Sequence, residues 1–272
     1  MIIHPEKTDI PQIKKIWKVS FSDTDESINS YFEKCFSTDD CYISKDGDRV
    51  RACLQMMPCI VYNSGKEYKA KYMYAVCTEP EYRHRGIMTA LINEACEREK
   101  AVGTKLILCV PSDEKLFDFY RRCGFTDGVY CSSFDIKREE FEKDTKPCEY
   151  YLNSDTKLFN ENRNRLLFDK CFVGFTDRFV SLADGKEYST AYNDNFYCMC
   201  CQEDETFHVC DCFFSDEKGK NDLFYFLKNE TDVNQFRIDY CSDNNDKLTG
   251  VIRCLDNTGF DNTRIYLGFK ME

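Results

Sequence analysis

Hydrophobic and polar positions in the first third of the chain follow first a helical and then a strand period. Ile13, Ile16 and Trp17 recur at helical spacing, and a second helical pattern opens at Asp25. Alternating positions then predict two strands joined at Asp46-Gly47, which is a hairpin signal, and a long third strand that Pro80 ends. With a short strand at "MIIHP", this part of the chain is therefore predicted to fold as a strand, two helices and three strands.

The pattern continues with helices and strands in alternation up to about residue 137. The run "MTALINEACEREKAVG" has an apolar stripe at helical spacing and Gly103 as a C-cap, and "TKLILCVPS" reads as a buried strand. The run "SDEKLFDFYRRCGF" has an acidic first turn, a basic last turn and a glycine stop, all typical of a helix. A final strand, "VYCSSFDIKRE", completes an α/β domain.

The second half of the chain is predicted to be a smaller, strand-rich domain. A charged passage at 139–150 reads as a linker between a domain at 1–138 and a domain at 151–272. Four strand patterns between 172 and 216 precede one helix, "GKNDLFYFLKNE", and three further strands. Hairpin strands, a helix and another strand loosely repeat the order of the first half.

Composition limits the function classes. The net charge of -11 argues against a nucleic-acid partner, whose binding surface would be basic. No apolar run approaches the roughly 20 residues that span a bilayer, and the N-terminus lacks a signal-peptide layout, so a cytoplasmic protein without a membrane partner is expected. The 18 cysteines lie mostly within apolar alternation and read as reduced core residues.

Four cysteines of the second half leave two interpretations open. Cys198 and Cys200 alternate on one predicted strand, and Cys210 and Cys212 on the next, so each pair is expected to share a face. Four thiolates could bind zinc, but structural zinc pairs usually have two to four intervening residues and lie in turns. Packing as small apolar residues is the favoured interpretation, and no metal is expected.

The stretch "EYRHRGIM" at 81–88 is a basic, glycine-containing turn between a predicted strand and a predicted helix. The start of a helix binds anions because its first N–H groups lack partners and the dipole is positive there. Gly86 allows close approach, and Arg83 and Arg85 add positive charge. This pattern indicates a phosphate or pyrophosphate site, and a solvated basic turn is the alternative. It matches neither the lysine-containing phosphate loop nor the three-glycine dinucleotide fingerprint.

The same stretch resembles the acetyl-CoA pyrophosphate loop of the GNAT superfamily of N-acetyltransferases, written Gln/Arg-x-x-Gly-x-Gly/Ala. Arg83 and Gly86 match its first two positions, and Met88 replaces the small third residue. "LFDFYRRCGF" resembles the second signature of that family. The predicted order of strands and helices over about 1–137 also resembles that of the family. The resemblance is closest to the enhanced-intracellular-survival (Eis) type. It implies a GNAT fold with a mixed central sheet, followed by a second, degenerate GNAT-like domain.

The resemblance also implies a cofactor site. The strand before the loop and the next strand would splay apart, and the backbone of Val76, Cys77 and Thr78 would pair with the pantetheine arm of acetyl-CoA, the expected cosubstrate. Thr89 would add a hydroxyl in the first helical turn. The pyrophosphate cradle would consist of Arg83, His84, Arg85, Gly86, Ile87 and Met88.

Two catalytic residues follow from the resemblance. Tyr120 would be the acid that protonates the leaving thiolate, because a phenol keeps its proton at neutral pH; packing in an apolar helix face is the alternative. Glu272 would supply the base through the C-terminal carboxylate, and a carboxylate of the acceptor pocket is the other candidate base.

These features predict an enzyme, an acetyl-CoA-dependent N-acetyltransferase acting on a primary amine of a small molecule or peptide by direct attack. The alternative is a catalytically inactive GNAT-fold protein that senses acyl-CoA or serves as an interaction module. A binder of another phosphorylated ligand is a weaker alternative. An oligomer is compatible with either function.

Overall fold

The structure is a computed structural model of the 272-residue chain. It describes residues 1–21, 23–63, 65–152, 156–175, 188–203, 205–244, 246–256, 260 and 264–268. The chain divides into two compact units. Unit 1 comprises Met1–Ile60, Tyr68–Gly128 and Gly250–Asn262, and unit 2 comprises Val61–Glu67, Val129–Thr249 and Thr263–Glu272.

Unit 1 is built on a mixed sheet whose strands lie in the order β1-β2-β3-β4-β5-β13. The last of these strands enters from the C-terminal part of the chain, and it pairs antiparallel with β5 from Val251 to Cys254. The strands are β1 (Ile2–Ile3), β2 (Cys41–Asp46), β3 (Arg49–Asn63), β4 (Lys66–Thr78), β5 (Leu106–Cys109) and β13 (Lys247–Cys254).

Helices cover both faces of this sheet because successive side chains of a strand point to opposite faces. On one face Ile13 and Ile16 pack with Cys53 of β3. On the other face Leu91 packs with Leu54 of β3. The α-helices in the described part of this unit are α1 (Ile10–Phe21), α2 (Asp25–Lys34), α3 (Ile87–Ala101) and α4 (Glu114–Arg122). The predicted order of elements in this region is confirmed, as is the mixed α/β fold class.

The strands β4 and β5 stay together over only three residue pairs. They run parallel from Ala70 opposite Leu106 to Tyr72 opposite Leu108. Beyond that point β5 ends at Cys109, whereas β4 continues to Thr78. The last six residues of β4 therefore run on without β5 as a neighbour.

The strands of unit 2 lie in the order β6-β12-β11-β10-β9-β7, with β14 parallel to β6 and to β8. Its helices are α5 (Thr156–Leu166) and α6 (Glu217–Glu230). Its strands are β6 (Thr126–Lys137), β7 (Tyr151–Leu152), β8 (Phe172–Phe175), β9 (Tyr188–Tyr192), β10 (Phe196–Glu203), β11 (Thr206–Phe214), β12 (Gln235–Tyr240) and β14 (Ile265–Tyr266).

Within unit 2, three antiparallel strands, a helix and a parallel strand follow one another from β9 to β12. Unit 1 has the same sequence of elements. There β2, β3 and β4 are followed by α3 and then by β5, which pairs parallel to β4, the strand before the helix. The predicted loose repeat is therefore present as topology. Helix α5 was not predicted, because its sequence, "TKLFNENRNRL", is rich in asparagine and poor in apolar periodicity.

Of the two cysteine pairs considered for zinc, only Cys198 and Cys200 share a face as expected. Cys198 lies opposite Cys212, but a bulge between Met199 and Cys200 shifts the register so that Cys200 lies opposite Val209. Cys198, Cys200 and Cys212 consequently lie in the apolar core of unit 2. The expectation that Cys210 and Cys212 share a face is wrong, because the extra residue of a bulge breaks the alternation.

The chemistry of these thiols also favours packing. Burial raises the pKa of Cys212 well above its ordinary value, which disfavours the thiolate that zinc requires. The Cys210 thiol donates to the carbonyl of Met199 at 3.4 Å. Within the described residues, no group of three or more metal-binding side chains comes together. In the same part of the chain, no helix has the length and apolar character needed to cross a bilayer.

A buried ionic network joins four elements of unit 2. Asp211 on β11 accepts hydrogen bonds from Arg163 Nε of α5 at 2.9 Å, from the Tyr197 hydroxyl at 2.8 Å and from the Tyr266 hydroxyl at 2.9 Å. Both charged side chains are almost fully buried. A buried pair of this kind tolerates the loss of either partner poorly, because the remaining charge is left without water or a counter-ion.

Asp211→Asn should therefore destabilise the protein by about 3–5 kcal/mol, which urea denaturation followed by circular dichroism would measure. Asp194→Asn is the matched control, because Asp194 also pairs with an arginine but its side chain is 96% exposed. The control should change the free energy of unfolding by about 1 kcal/mol or less. Equal effects of the two substitutions would contradict the role assigned to Asp211.

Candidate functional site

The end of β4 holds a strained backbone conformation. Ala75 has a φ of 49°, in the left-handed region that residues with a Cβ rarely adopt. It lies three residues beyond Tyr72, where β4 leaves β5. Strain of this kind costs of order 1–3 kcal/mol and clusters at functional sites. The sequence carried no signal for it, since alanine is an ordinary strand residue.

The residues predicted to pair with the pantetheine arm, Val76, Cys77 and Thr78, all lie in the part of β4 that has no β5 neighbour. The side chain of Cys77 is buried in the core beneath α1 and α2, whereas Val76 packs on the opposite core, beside α3 and α4. Thr78 is the last residue of the strand, and its carbonyl accepts a hydrogen bond from Arg83 Nε at 3.0 Å. The backbone groups of 76–78 that face away from β3 are thus directed to the gap left by β5.

The loop between β4 and α3 is exposed and positively charged. Arg83, His84, Arg85 and Gly86 are all exposed. His84 has a φ of 60° and Gly86 a φ of 74°, so two residues of this short loop adopt left-handed conformations. Successive N–H groups around such residues form concave anion-binding nests.

The N-cap residue of α3 makes no side-chain hydrogen bond to the first turn of the helix. Gly86 occupies that position and has no side chain with which to accept from the first N–H groups of the helix. Ile87, Met88 and Thr89 follow in the first turn and are half-buried. The first N–H groups of α3 therefore have no side-chain cap, and the positive end of the helix dipole lies beside the basic loop.

Three arginines surround Tyr82 at the base of this loop. The guanidinium carbons of Arg49, Arg51 and Arg85 lie 5.0, 4.9 and 5.3 Å from the centre of its ring.

Two of these arginines also form ion pairs. Arg49 pairs with Glu79 and Glu81, and Arg51 pairs with Asp46. Arg49 and Arg51 come from β3 and were not predicted as site residues, because only the pairing of β3 with β4 brings them here. Arg85 is the one of the three that lies in the loop itself.

Tyr120 lies on α4 and is buried, with 5% of its surface exposed. Burial raises the pKa of its phenol well above the ordinary value of about 10, and the neighbouring Cys109 thiol at the end of β5 raises it further. The phenol therefore keeps its proton through the neutral and mildly alkaline range. Its position beside Cys109 places it at the end of β5, where β4 and β5 have parted.

A family model described as an acetyltransferase (GNAT) domain matches residues 2–127, which include the splayed strands, the basic loop and Tyr120. This part of the chain is therefore similar to a GNAT acetyltransferase domain. Among curated protein sequences, none matches this chain.

Solved structures of similar fold extend over both units. A GCN5-related N-acetyltransferase from Anabaena variabilis has a TM-score of 0.79 at 12% identity, over 94% of this chain and 73% of that one. Eis1 from Mycobacterium abscessus has a TM-score of 0.68 at 12% identity, with the same coverage of 94% and 73%. A tandem GNAT protein of clavulanic acid biosynthesis has a TM-score of 0.52 at 12% identity, over 95% and 99%. These likenesses show the fold, and they agree with the predicted Eis-like GNAT domain followed by a second one.

The GNAT loop of this chain departs from the family pattern at Met88, and the structure accounts for the larger residue. Its side chain is half-buried and packs on the core formed with α3 and α4, together with Ile87 and Val76. It therefore does not project into the exposed part of the loop. Thr89, the next residue, interacts with the Cys123 thiol through its hydroxyl.

One predicted catalytic residue, Glu272, lies outside the described residues. The domain boundaries predicted at 138 and 151, the cytoplasmic location and an oligomeric state stay predictions.

A large cavity of about 1080 Å³ lies elsewhere, in unit 2, around the start of α6. None of the predicted site residues lines it. Asp222, one of its lining residues, is already hydrogen-bonded within the protein. Burial alone would raise the pKa of its carboxyl, but hydrogen bonds from Asn193, Lys218 and Asn195 lower that pKa below its ordinary value. The size of this cavity is therefore a poor guide to the chemistry of the GNAT domain.

The strain at Ala75 can be measured through substitutions. Ala75→Val should destabilise the protein by about 2 kcal/mol or more, because a β-branched residue is a stronger outlier than alanine at positive φ and has less room in a buried position. Ala75→Gly is the matched control and should be nearly neutral, since glycine adopts this conformation freely but loses more chain entropy on folding. The readout is the urea midpoint. A regular strand at this position would give the opposite order, with valine tolerated and glycine harmful.

Proposed function

We propose that the protein is an acetyl-CoA-dependent N-acetyltransferase that transfers the acetyl group to a primary amine of a small molecule or peptide. The observation that carries this proposal is the parting of β4 from β5 directly before a basic loop and an uncapped helix start. A long ligand with an amide-containing arm and an anionic diphosphate matches both features. The acyl-CoA would lie along Val76, Cys77 and Thr78, with its pyrophosphate at 83–89.

The charges of the loop support the pyrophosphate assignment. Arg85 is exposed and has a ring contact with Tyr82 but no ion pair among the described residues, so its guanidinium can donate to a phosphate. Arg83 is held by Thr78 and Ser20 and is suited to orienting the loop. His84 contributes the left-handed backbone of the nest.

The reaction we propose is direct attack of the neutral amine nitrogen on the thioester carbonyl. The new C–N bond forms, the C–S bond breaks, and the amine loses a proton to a base. Tyr120 donates its proton to the departing thiolate, for which its raised pKa keeps it in the protonated form. Glu272 remains our candidate for the base.

Unit 2 is not proposed to bind a second acyl-CoA. Its equivalent helix, α6, has Asp216 as its N-cap, and the Asp216 carboxylate accepts from the N–H of Gly219 at 2.9 Å. Glu217 adds a second acidic residue in the first turn. The position that carries arginines and an open glycine cap in unit 1 is thus acidic and already capped in unit 2.

A carboxylate placed at the start of α3 should abolish the anion site. Gly86→Asp is expected to weaken acetyl-CoA binding by about tenfold or more, because a negative charge occupies the positive end of the helix and can cap its free donors. Isothermal titration with acetyl-CoA would measure the effect.

The control is Gly103→Asp at the other end of α3. Both glycines have positive φ, and a Cβ at either position would meet no atom within 4 Å, so the backbone strain is matched. Gly86→Asn separates charge from side-chain bulk and should retain more affinity than Gly86→Asp. Equal loss of affinity in all three variants would remove the helix start from the proposed site.

Tyr120→Phe should lower kcat by about 10²-fold or more, the lower end of general acid catalysis, while acetyl-CoA affinity is retained. CoA release with a panel of amines is the measurement. Tyr42→Phe removes another buried hydroxyl of unit 1, which donates to Glu99 at 3.2 Å, and should leave kcat unchanged. Acetyl-CoA binding without turnover on any amine would instead support the acyl-CoA sensor.

A further inference from the structure

Two buried thiols of unit 1 lie in contact across neighbouring strands. The sulfur of Cys53 on β3 is 3.3 Å from the sulfur of Cys77 on β4. Cys53 is fully buried and Cys77 is 3% exposed. The mechanism proposed above uses the backbone of Cys77 but neither of the two thiols.

The register of the strands explains the contact. The N–H of Glu79 on the segment after β4 donates to the carbonyl of Arg51 on β3 at 2.8 Å. Moving two residues inward along both antiparallel strands brings Cys53 directly opposite Cys77. Side chains directly opposite in such a pair point to the same face and have Cβ atoms about 5 Å apart. A disulfide requires Cβ atoms about 3.8 Å apart and an S–S bond of about 2.05 Å, so a modest approach of the strands suffices.

The thiol pair connects to the basic loop through one hydroxyl. The Cys53 thiol and burial raise the pKa of the Cys77 thiol well above its ordinary value, and the nearby Ser20 hydroxyl of α1 lowers it. The same Ser20 hydroxyl accepts from Arg83 Nη2 at 3.3 Å, and Arg83 Nε donates to the carbonyl of Thr78. Any displacement of the Cys77 sulfur therefore acts on the residue that orients the loop.

We propose that Cys53 and Cys77 form an oxidisable dithiol, a modification site whose disulfide weakens acyl-CoA binding. The oxidant is a hydroperoxide such as hydrogen peroxide. One thiol attacks a peroxide oxygen, the O–O bond breaks, and a sulfenic acid and water form. The second thiol attacks the sulfenic sulfur, the S–S bond forms, and a second water leaves. The two thiols lose two electrons in total, and the peroxide gains them.

The expected effect on binding rests on the proposed function. Bond formation draws Cys77 toward β3 and away from Ser20, which shifts the end of β4 and, with it, the Thr78 carbonyl that accepts from Arg83. Both changes alter the surface proposed to hold the pantetheine arm and the pyrophosphate. Linkage requires the reciprocal effect, so bound acetyl-CoA should slow or disfavour oxidation of the pair.

The experiment compares reduced and peroxide-treated protein. The full chain is treated with hydrogen peroxide, alkylated with N-ethylmaleimide under denaturing conditions, digested with trypsin and analysed by mass spectrometry. We expect a cross-linked peptide joining Cys53 and Cys77 that disappears after dithiothreitol. Oxidised protein should bind acetyl-CoA about fivefold or more weakly than reduced protein, the lower end of ordinary coupling between sites.

Two variants serve as a matched pair. Cys53→Ala removes one partner and should make acetyl-CoA affinity insensitive to peroxide. Cys59→Ala removes another buried thiol of β3 and should behave like the wild type. Since the tryptic peptide that contains Cys53 also contains Cys59, this control further assigns the cross-link to Cys53 alone.

Several results would overturn the proposal. Exposed Cys254 reports that the peroxide has acted, so its oxidation with Cys53 and Cys77 both recovered as alkylated thiols excludes the disulfide. A disulfide that leaves acetyl-CoA affinity unchanged excludes the regulatory effect. Failure of the reduced protein to bind acetyl-CoA would instead refute the proposed function, and the peptide map would still decide whether the dithiol forms.

Discussion

The proposed acyl-CoA site depends on the early separation of β4 from β5. Backbone N–H and C=O groups of a strand need partners, and a parallel neighbour normally supplies them. Here β5 pairs on its other side with β13 up to Val251 and ends at Cys109, while β4 runs on to Thr78. The left-handed Ala75 lies within this free end. Strand, loop and helix start are consequently all arranged around one gap, with Tyr120 beside the strand that stops short.

The two units show how one topology can carry different chemistry. Both have a hairpin strand, a short loop, a helix and a parallel strand in the same order. What differs is the residue that caps the helix. Gly86 leaves the donors of α3 free, whereas the carboxylate of Asp216 occupies the corresponding place in α6. Fold alone therefore does not identify a binding site, and the first turn of one helix distinguishes the two units.

Local patterns were sufficient to predict most elements of unit 1 and the place of the basic loop between β4 and α3. Helix caps, glycine turns and the alternation of apolar and polar residues are all encoded by residues close together in the chain. Features that depend on distant pairing were not predictable. Arg49 and Arg51 reach Tyr82 only through the β3–β4 register, and the bulge that turns Cys210 away from Cys212 arises from a mismatch with β10. Helix α5 is held partly by buried Arg163, whose counter-ion is 48 residues away.

Met88 shows why a motif position has to be interpreted through its surroundings. By its residue type it departs from the small residue of the GNAT loop pattern. In the structure its side chain packs on the core with Val76 and Ile87, while the loop surface consists of the four exposed residues before it. An unbranched, flexible methionine fills irregular space in a core without requiring a particular shape. The substitution therefore bears on how α3 packs against the sheet, and the charge and donor pattern of the loop remains unaltered by it.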